Sequence, residues 1–147
     1  MKTNSAIAVH DPINRNCGLS LTGSSVDFDV DYATKHNLTF VSTEGDVHLK
    51  KNLKGYIVSA DSAKNLYTYN NVEGVGVRLH AKNTYMNVGG DIGASLFIDV
   101  KAGTVKNIQH DSQYISTLPP EIAQHAGNGG TMDADNVFIE RKRIFCF

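Results

Sequence analysis

The sharpest cluster of ionisable residues in this 147-residue chain is a row of aspartates that alternates with apolar residues. Asp27, Asp29 and Asp31 stand two positions apart, so on a β-strand their carboxylates share one face at a spacing of about 7 Å. Carboxylate oxygens suit a hard cation such as Ca²⁺, which makes the row a candidate metal site. A calcium site also needs carbonyl ligands and a wrapping loop. A solvated strand face that resists edge-to-edge pairing explains the row better, and we expect neither metal nor other cofactor.

Histidines are the other candidates for chemistry, and the chain has six of them. None has the H-x-H or H-E-x-x-H spacing of a metal site. His48 and His80 lie in predicted strands and could meet in space, as a metal pair or with one as a general base. The sequence has no G-x-S-x-G nucleophile elbow, and its glycine-rich segments lack the features of a phosphate loop. We therefore predict that the protein is not an enzyme.

The two cysteines, Cys17 and Cys146, stand near opposite ends of the chain. In an oxidising compartment they could form a disulfide between the first and last strands. That bridge would close a loop of about 130 residues and add roughly 4 to 5 kcal/mol to stability. In a reducing compartment they would be two unrelated thiols. Their spacing matches no zinc motif.

Composition excludes several classes of protein. Charged residues make up 20% and apolar residues 41%, as in a globular domain, and the formal net charge is −1. A nearly neutral chain lacks the basic excess expected of a nucleic-acid partner. No segment has the apolar length of a membrane span, so we expect no membrane insertion. The first residues, MKTNSAIAVHDP, show no signal peptide.

Alternating polarity is the dominant structural signal and predicts an all-β fold. Val26, Phe28, Val30 and Tyr32 alternate with the aspartates, so they should face a core. Leu96, Ile98 and Val100 of a later apolar segment are predicted to lie in the core as well. Many short strands separated by turn residues favour an antiparallel two-sheet sandwich, immunoglobulin-like or jelly-roll-like. The glycines keep no fixed period, which argues against a β-solenoid. We predict an N-terminal arm at residues 1–16 and a single β-sandwich domain at residues 17–147.

Three segments of the second half resemble a chaperone–usher pilin. They are residues 73–79 (EGVGVRL), 94–100 (ASLFIDV) and 129–137 (GGTMDADNV). Pilins are incomplete immunoglobulin-like sandwiches, completed by an extended strand from the next subunit. The resemblance implies that Ile7 and Val9 of the arm are donor-strand residues. Main-chain hydrogen bonds would supply affinity and side-chain pockets would set the register.

The last segment, residues 137–147, is a second candidate for assembly. It is rich in β-branched and aromatic residues and lies at the chain end, so we predict an edge strand carrying Val137, Ile139, Phe145 and Phe147. The expected function is a structural subunit of an extracellular, fimbria-like polymer that self-associates by strand addition. A bacteriophage virion component (decoration, tail or fibre protein) is the first alternative. A carbohydrate-binding module is the second.

Overall fold

The computed structural model describes residues 1–107, 132–133 and 136–144 of the chain. These residues form fourteen β-strands, and every ladder between them is parallel. The strands are β1 (Ile7–Val9), β2 (Leu19–Gly23), β3 (Val26–Phe28), β4 (Tyr32–Ala33), β5 (Leu38–Ser42), β6 (Val47–Leu49), β7 (Leu53–Lys54), β8 (Ile57–Ser62), β9 (Asn65–Thr68), β10 (Val72–Ala81), β11 (Thr84–Asn87), β12 (Ile92–Asn107), β13 (Met132–Asp133) and β14 (Asn136–Ile144).

The register of the ladders shows a coil that returns to the same place about every 20 residues. Ile7 pairs with Val26, Val26 with Val47 and Val47 with Leu66, which are steps of 19, 21 and 19 residues. Each step is one turn of the chain, and each turn stacks on the one before through parallel hydrogen bonds. The fold is therefore a parallel β-solenoid, and residues 1–18 form its first coil.

The coil has three faces, and each face is a stack of parallel strands. The first face contains β1, β3, β6, β9, β11 and the end of β12. The second face contains β2, β5, β8, the later part of β10, the middle of β12, and β14. The third face contains β4, β7 and the starts of β10 and β12, followed by β13. Strands β10 and β12 turn a corner, and their ladder has a bulge between Gly74 and Gly76.

The hydrophobic core fills the inside of the coils, because alternate residues of every face point inward. Equivalent positions of successive coils stack side chain on side chain. On the first face Val26, Val47 and Leu66 form one such column, and all three are buried. Phe28 is fully buried and packs on Phe40, with the ring centroids 5.0 Å apart. Where burial is described, the core runs along the axis from Ile7 in the first coil to Ala102 in β12.

The antiparallel two-sheet sandwich predicted from the sequence is wrong. Alternation correctly placed Val26, Phe28 and Val30 inside, but it says nothing about the direction of the neighbouring strand. Coil lengths that vary between 19 and 21 residues hid the repeat from a search for a strict period. One predicted core residue, Leu96, lies at a corner and is 51% exposed.

Candidate functional site

The first coil leaves one edge of the solenoid uncovered by any described residue. Strand β1 pairs with β3, since the Ile7 N–H donates to Ser25 O at 2.9 Å and the Asp29 N–H donates to Val9 O at 2.8 Å. Neighbouring peptide groups of a strand point to opposite sides. The N–H and C=O of Ala8 therefore point away from β3, toward a side where the described residues place no strand. This uncovered edge is called the open end below.

The predicted arm residues belong to this first coil. Ile7 is only 6% exposed and is part of the hydrophobic core, and Val9 packs against that core. Residues 1–5 continue the coil over the second face, where the Thr3 N–H donates to Thr22 O at 2.9 Å. The structure thus places the segment 1–9 on the chain's own solenoid, with its outer edge facing outward. Its role in assembly remains a prediction.

A tyrosine holds the first coil on the third face, where no ladder joins it to β4. The Tyr32 hydroxyl accepts a hydrogen bond from the Cys17 N–H at 3.2 Å and donates one to Cys17 O at 2.6 Å. One phenol thus satisfies both main-chain groups of a residue, as a paired strand would. Burial, followed by the hydrogen bond with the Cys17 side chain, raises the pKa of Tyr32 above its ordinary value of 10.0.

The predicted disulfide is wrong on the evidence of Cys17, which is a free, exposed cysteine. Its partner in that prediction, Cys146, lies outside the described residues. The thiol of Cys17 lies 3.8 Å from the Tyr32 hydroxyl at the outside of the first coil. The first coil is therefore held by main-chain and phenol hydrogen bonds.

The far end of the described stack is β14, the predicted edge strand. Val137 lies beside Ile98 and Ile139 beside Val100, both in a parallel ladder with β12. Among the described residues β14 pairs with β12 and with no other strand. Phe145 and Phe147, the other two residues of the prediction, lie outside the described part of the chain.

The aspartate row does not converge on one point. Asp27 pairs with Lys50, with Oδ2 3.1 Å from Nζ, and the Asp29 carboxylate lies 3.5 Å from Nδ1 of His10. Asp31 lies past the corner, where its Oδ1 accepts the Asn52 N–H at 2.9 Å. The described residues contain no group of three histidine, cysteine or acidic side chains placed to hold a metal ion. Each aspartate instead ties its coil to an adjacent one.

The two strand histidines lie on different faces and do not meet. His48 is on the first face, stacked on Tyr67 with ring centroids 4.6 Å apart, and its Nδ1 is 2.6 Å from the Tyr69 hydroxyl. His80 is on the second face, with Nε2 3.2 Å from the Asp99 carboxylate. Both contacts join side chains of successive coils. The arrangement suits packing between coils and supplies no histidine pair.

Sequence reasoning missed a polar row along the third face. At one corner of successive coils a side-chain oxygen accepts the next coil's backbone N–H: Asp31 from Asn52, Asn52 from Asn71 at 3.1 Å, and Asn71 from Asp91 at 2.9 Å. The signal in the sequence is a repeated Asp or Asn before an inward apolar residue. Beside this row lie two shallow depressions of about 510 and 400 Å³. Together they form what we call the axial groove.

Comparison of the chain with models of protein families, with curated proteins and with solved structures finds no match. The resemblance to pilins therefore stays a prediction, although the incomplete sandwich that it implied is wrong. In the described part of the chain no helix has the length and hydropathy to cross a bilayer. The features left for a functional interpretation are the open end and the axial groove.

Proposed function

We propose that this chain is a non-enzymatic structural subunit that assembles by strand addition, coil on coil, at the open end of its solenoid. The observation that carries the proposal is the outward-facing backbone of β1, where the N–H and C=O of Ala8 have no strand beside them among the described residues. An unpaired strand edge of this kind accepts another chain. The occupant we propose is a second copy or a neighbouring subunit with the same coil.

The geometry of the first coil supports this mode of assembly. Its outer strand is anchored by Ile7 in the core, so the edge is held in place before a partner arrives. A partner strand would add main-chain hydrogen bonds that each contribute roughly 0.5 to 1.5 kcal/mol. A pre-ordered edge lowers the entropy lost on association.

Strand addition in this fold differs from the pilin mode. A pilin donor strand fills a groove inside an incomplete sandwich, whereas a solenoid continues its own stack along one axis. The product is a rod whose length grows with each added subunit. A virion fibre or a cell-surface appendage is the extracellular setting we propose for such a rod.

Proline at Ala8 tests the proposal. The Ala8 N–H takes no part in the ladder with β3, so Ala8→Pro should leave the solenoid folded while removing a donor from the open edge. Ala33→Pro is the matched control. Ala33 is also exposed, and its N–H also takes no part in a ladder, here the ladder of β4 with β7. In contrast to Ala8, the side toward which this N–H points is already occupied by the first coil.

Sedimentation velocity over a range of concentrations, with circular dichroism to check folding, gives the readout. We expect the wild-type chain and Ala33→Pro to gain mass as concentration rises. Ala8→Pro should need a roughly tenfold higher concentration, as expected for about 1.4 kcal/mol of lost association free energy. A wild-type chain that stays monomeric at every concentration, or an Ala8→Pro variant that assembles normally, would contradict the proposal.

A further inference from the structure

The axial groove on the third face is independent of the open end. Its two depressions share Lys54 and Glu73 in their walls, so they adjoin. Together they extend from the coil of β4, across β7 and β10, to the start of β12. Since strands of one face stack along the axis, the groove runs across the strands, parallel to the length of the solenoid. Any ligand that fills it is extended.

The floor of the groove is made flat by small outward residues. Ala33 and Gly93 occupy positions where a larger side chain would stand above the sheet. At Gly93 a Cβ atom would meet nothing closer than Glu73 Cγ at 4.0 Å, so a side chain can begin there without overlap. The floor therefore offers a shallow shelf that a flat chain can lie on.

One side of the groove is the polar row. Asp31, Asn52 and Asn71 are exposed, and each uses Oδ1 to accept the backbone N–H of the next coil. That bond fixes the side chain and leaves its other atom, Oδ2 of the aspartate or Nδ2 of the asparagines, available to a ligand. The row thus presents one oriented polar group per coil, at the strand spacing of about 4.8 Å. A ligand that hydrogen-bonds to every member of this row has hydroxyl groups at a similar spacing.

The charges of the groove disfavour an anionic ligand. Lys54 and Glu73 lie beside each other in register on adjacent strands, with opposite charges. Asp31 adds a carboxylate, so the lining has no positive excess to attract uronic acids, sulfated glycans or nucleic acid. An extended peptide cannot add a strand here, because β7 and the start of β10 already have strands on both sides.

An exposed tyrosine follows the groove lining in the sequence. Tyr56 directly follows Gly55 of the lining and is 53% exposed, one of the most exposed large apolar side chains among the described residues. A tyrosine ring has an apolar face and a hydroxyl that reaches water. The apolar face of a pyranose ring packs on such a surface while its hydroxyls remain hydrogen bonded.

We infer that the axial groove binds a neutral, linear oligosaccharide laid along the solenoid axis, about one sugar to each coil. The extended shape, the flat floor, the repeated amide and carboxylate groups, the absence of a positive excess and the exposed tyrosine that follows Gly55 all suit this ligand. The size of the combined depressions also falls in the range of small-ligand sites. This inference does not depend on strand addition at the open end.

The test uses the full chain on an array of linear glycans that includes neutral, uronic-acid and sulfated members, with extended peptides alongside. Gly93→Trp places a large side chain on the floor, and its Cβ atom meets nothing closer than Glu73 Cγ at 4.0 Å. Ser59→Trp is the matched control, because Ser59 is an outward residue of β8 on the second face. Circular dichroism checks that both variants keep the wild-type fold.

We expect the wild-type chain and Ser59→Trp to retain neutral glycans of four or more sugars, and Gly93→Trp to lose them. A double Asn52→Ala, Asn71→Ala variant should bind at least tenfold more weakly, and Tyr56→Ala more weakly as well. Calorimetry with the best glycan from the array would measure both changes. Retention of acidic glycans or peptides in preference, retention of no neutral glycan, or normal binding by Gly93→Trp would overturn the inference.

Discussion

Replacing Gly90 with alanine should destabilise the protein strongly, because the backbone of another coil occupies the space that the alanine side chain would need. Gly90 has a φ of +46°, in the left-handed region that costs an L-residue with a side chain roughly 1 to 2 kcal/mol. A Cβ atom there would lie 2.1 Å from the carbonyl carbon of Asn70 and 2.3 Å from its oxygen. Both are backbone atoms, so a side-chain rotation cannot relieve the overlap.

The magnitude follows from these distances. Ordinary carbon contacts lie at about 3.5 Å, so the two coils would have to separate by more than about 1 Å. Forcing an extra methyl group into a packed interior costs typically 1 to 3 kcal/mol. The separation would also strain a buried bond between the two coils, in which Thr68 Oγ1 donates to Asn87 Oδ1 at 3.2 Å. The left-handed backbone conformation and the extra methyl group should together lower the free energy of unfolding by roughly 2 to 5 kcal/mol.

Urea unfolding followed by circular dichroism measures this loss, and Gly93→Ala is the control. The two glycines are three residues apart, yet a Cβ at Gly93 meets only Glu73 Cγ at 4.0 Å, an ordinary contact distance. We expect Gly93→Ala to change the free energy of unfolding by less than about 0.5 kcal/mol. Equal effects of the two substitutions would refute the reasoning. Only the stacking of coils places Asn70 against Gly90, so that result would also count against the solenoid.

Three further predictions concern buried aromatic residues. Tyr32→Phe should cost about 1 to 3 kcal/mol, because both hydrogen bonds to the Cys17 backbone are lost, and thermal unfolding would show it. Phe28→Ala should cost about 3 to 5 kcal/mol in urea unfolding, since the ring is fully buried. Burial raises the pKa of Tyr85 above its ordinary value of 10.0, so the folded state keeps the proton that the unfolded chain releases. The stabilisation that Tyr85 contributes is therefore fully present below about pH 10. Above that pH the free energy of unfolding falls by about 1.4 kcal/mol per pH unit because of this residue, and Tyr85→Phe should remove this contribution to the pH dependence.

The inward and outward faces of many strands could be predicted from sequence. Alternation placed Val26, Phe28 and Val30 in the core, and Ile98 and Val100 as well, because a strand has the same period in any sheet. Leu96 failed because the chain turns a corner there, and an apolar residue at a corner points outward. Alternation is a property of one strand and carries no information about the next.

The parallel coil could not be predicted from the alternation of polar and apolar residues, but the sequence repeats a pattern at the corners of the coils. Asp31-Tyr32, Asn52-Leu53, Asn71-Val72 and Asp91-Ile92 repeat a polar oxygen before an inward apolar residue, at steps of 21, 19 and 20 residues. The steps vary because the turns between faces differ in length, while the hydrogen-bonded corner is kept. The polar row and the groove beside it follow from the same repeat, so neither could be found before the repeat itself.

The most direct test of assembly by coil stacking is X-ray diffraction from an aligned, concentrated specimen of the full chain, with electron micrographs of the same material. Stacking at the open end predicts rods of constant width and a reflection at about 4.7 to 4.8 Å along the rod axis, because the strands lie across that axis. The Ala8→Pro variant should form such rods only at a roughly tenfold higher concentration. Rods that widen without lengthening, a strand reflection perpendicular to the axis, or the absence of any ordered assembly would contradict the account.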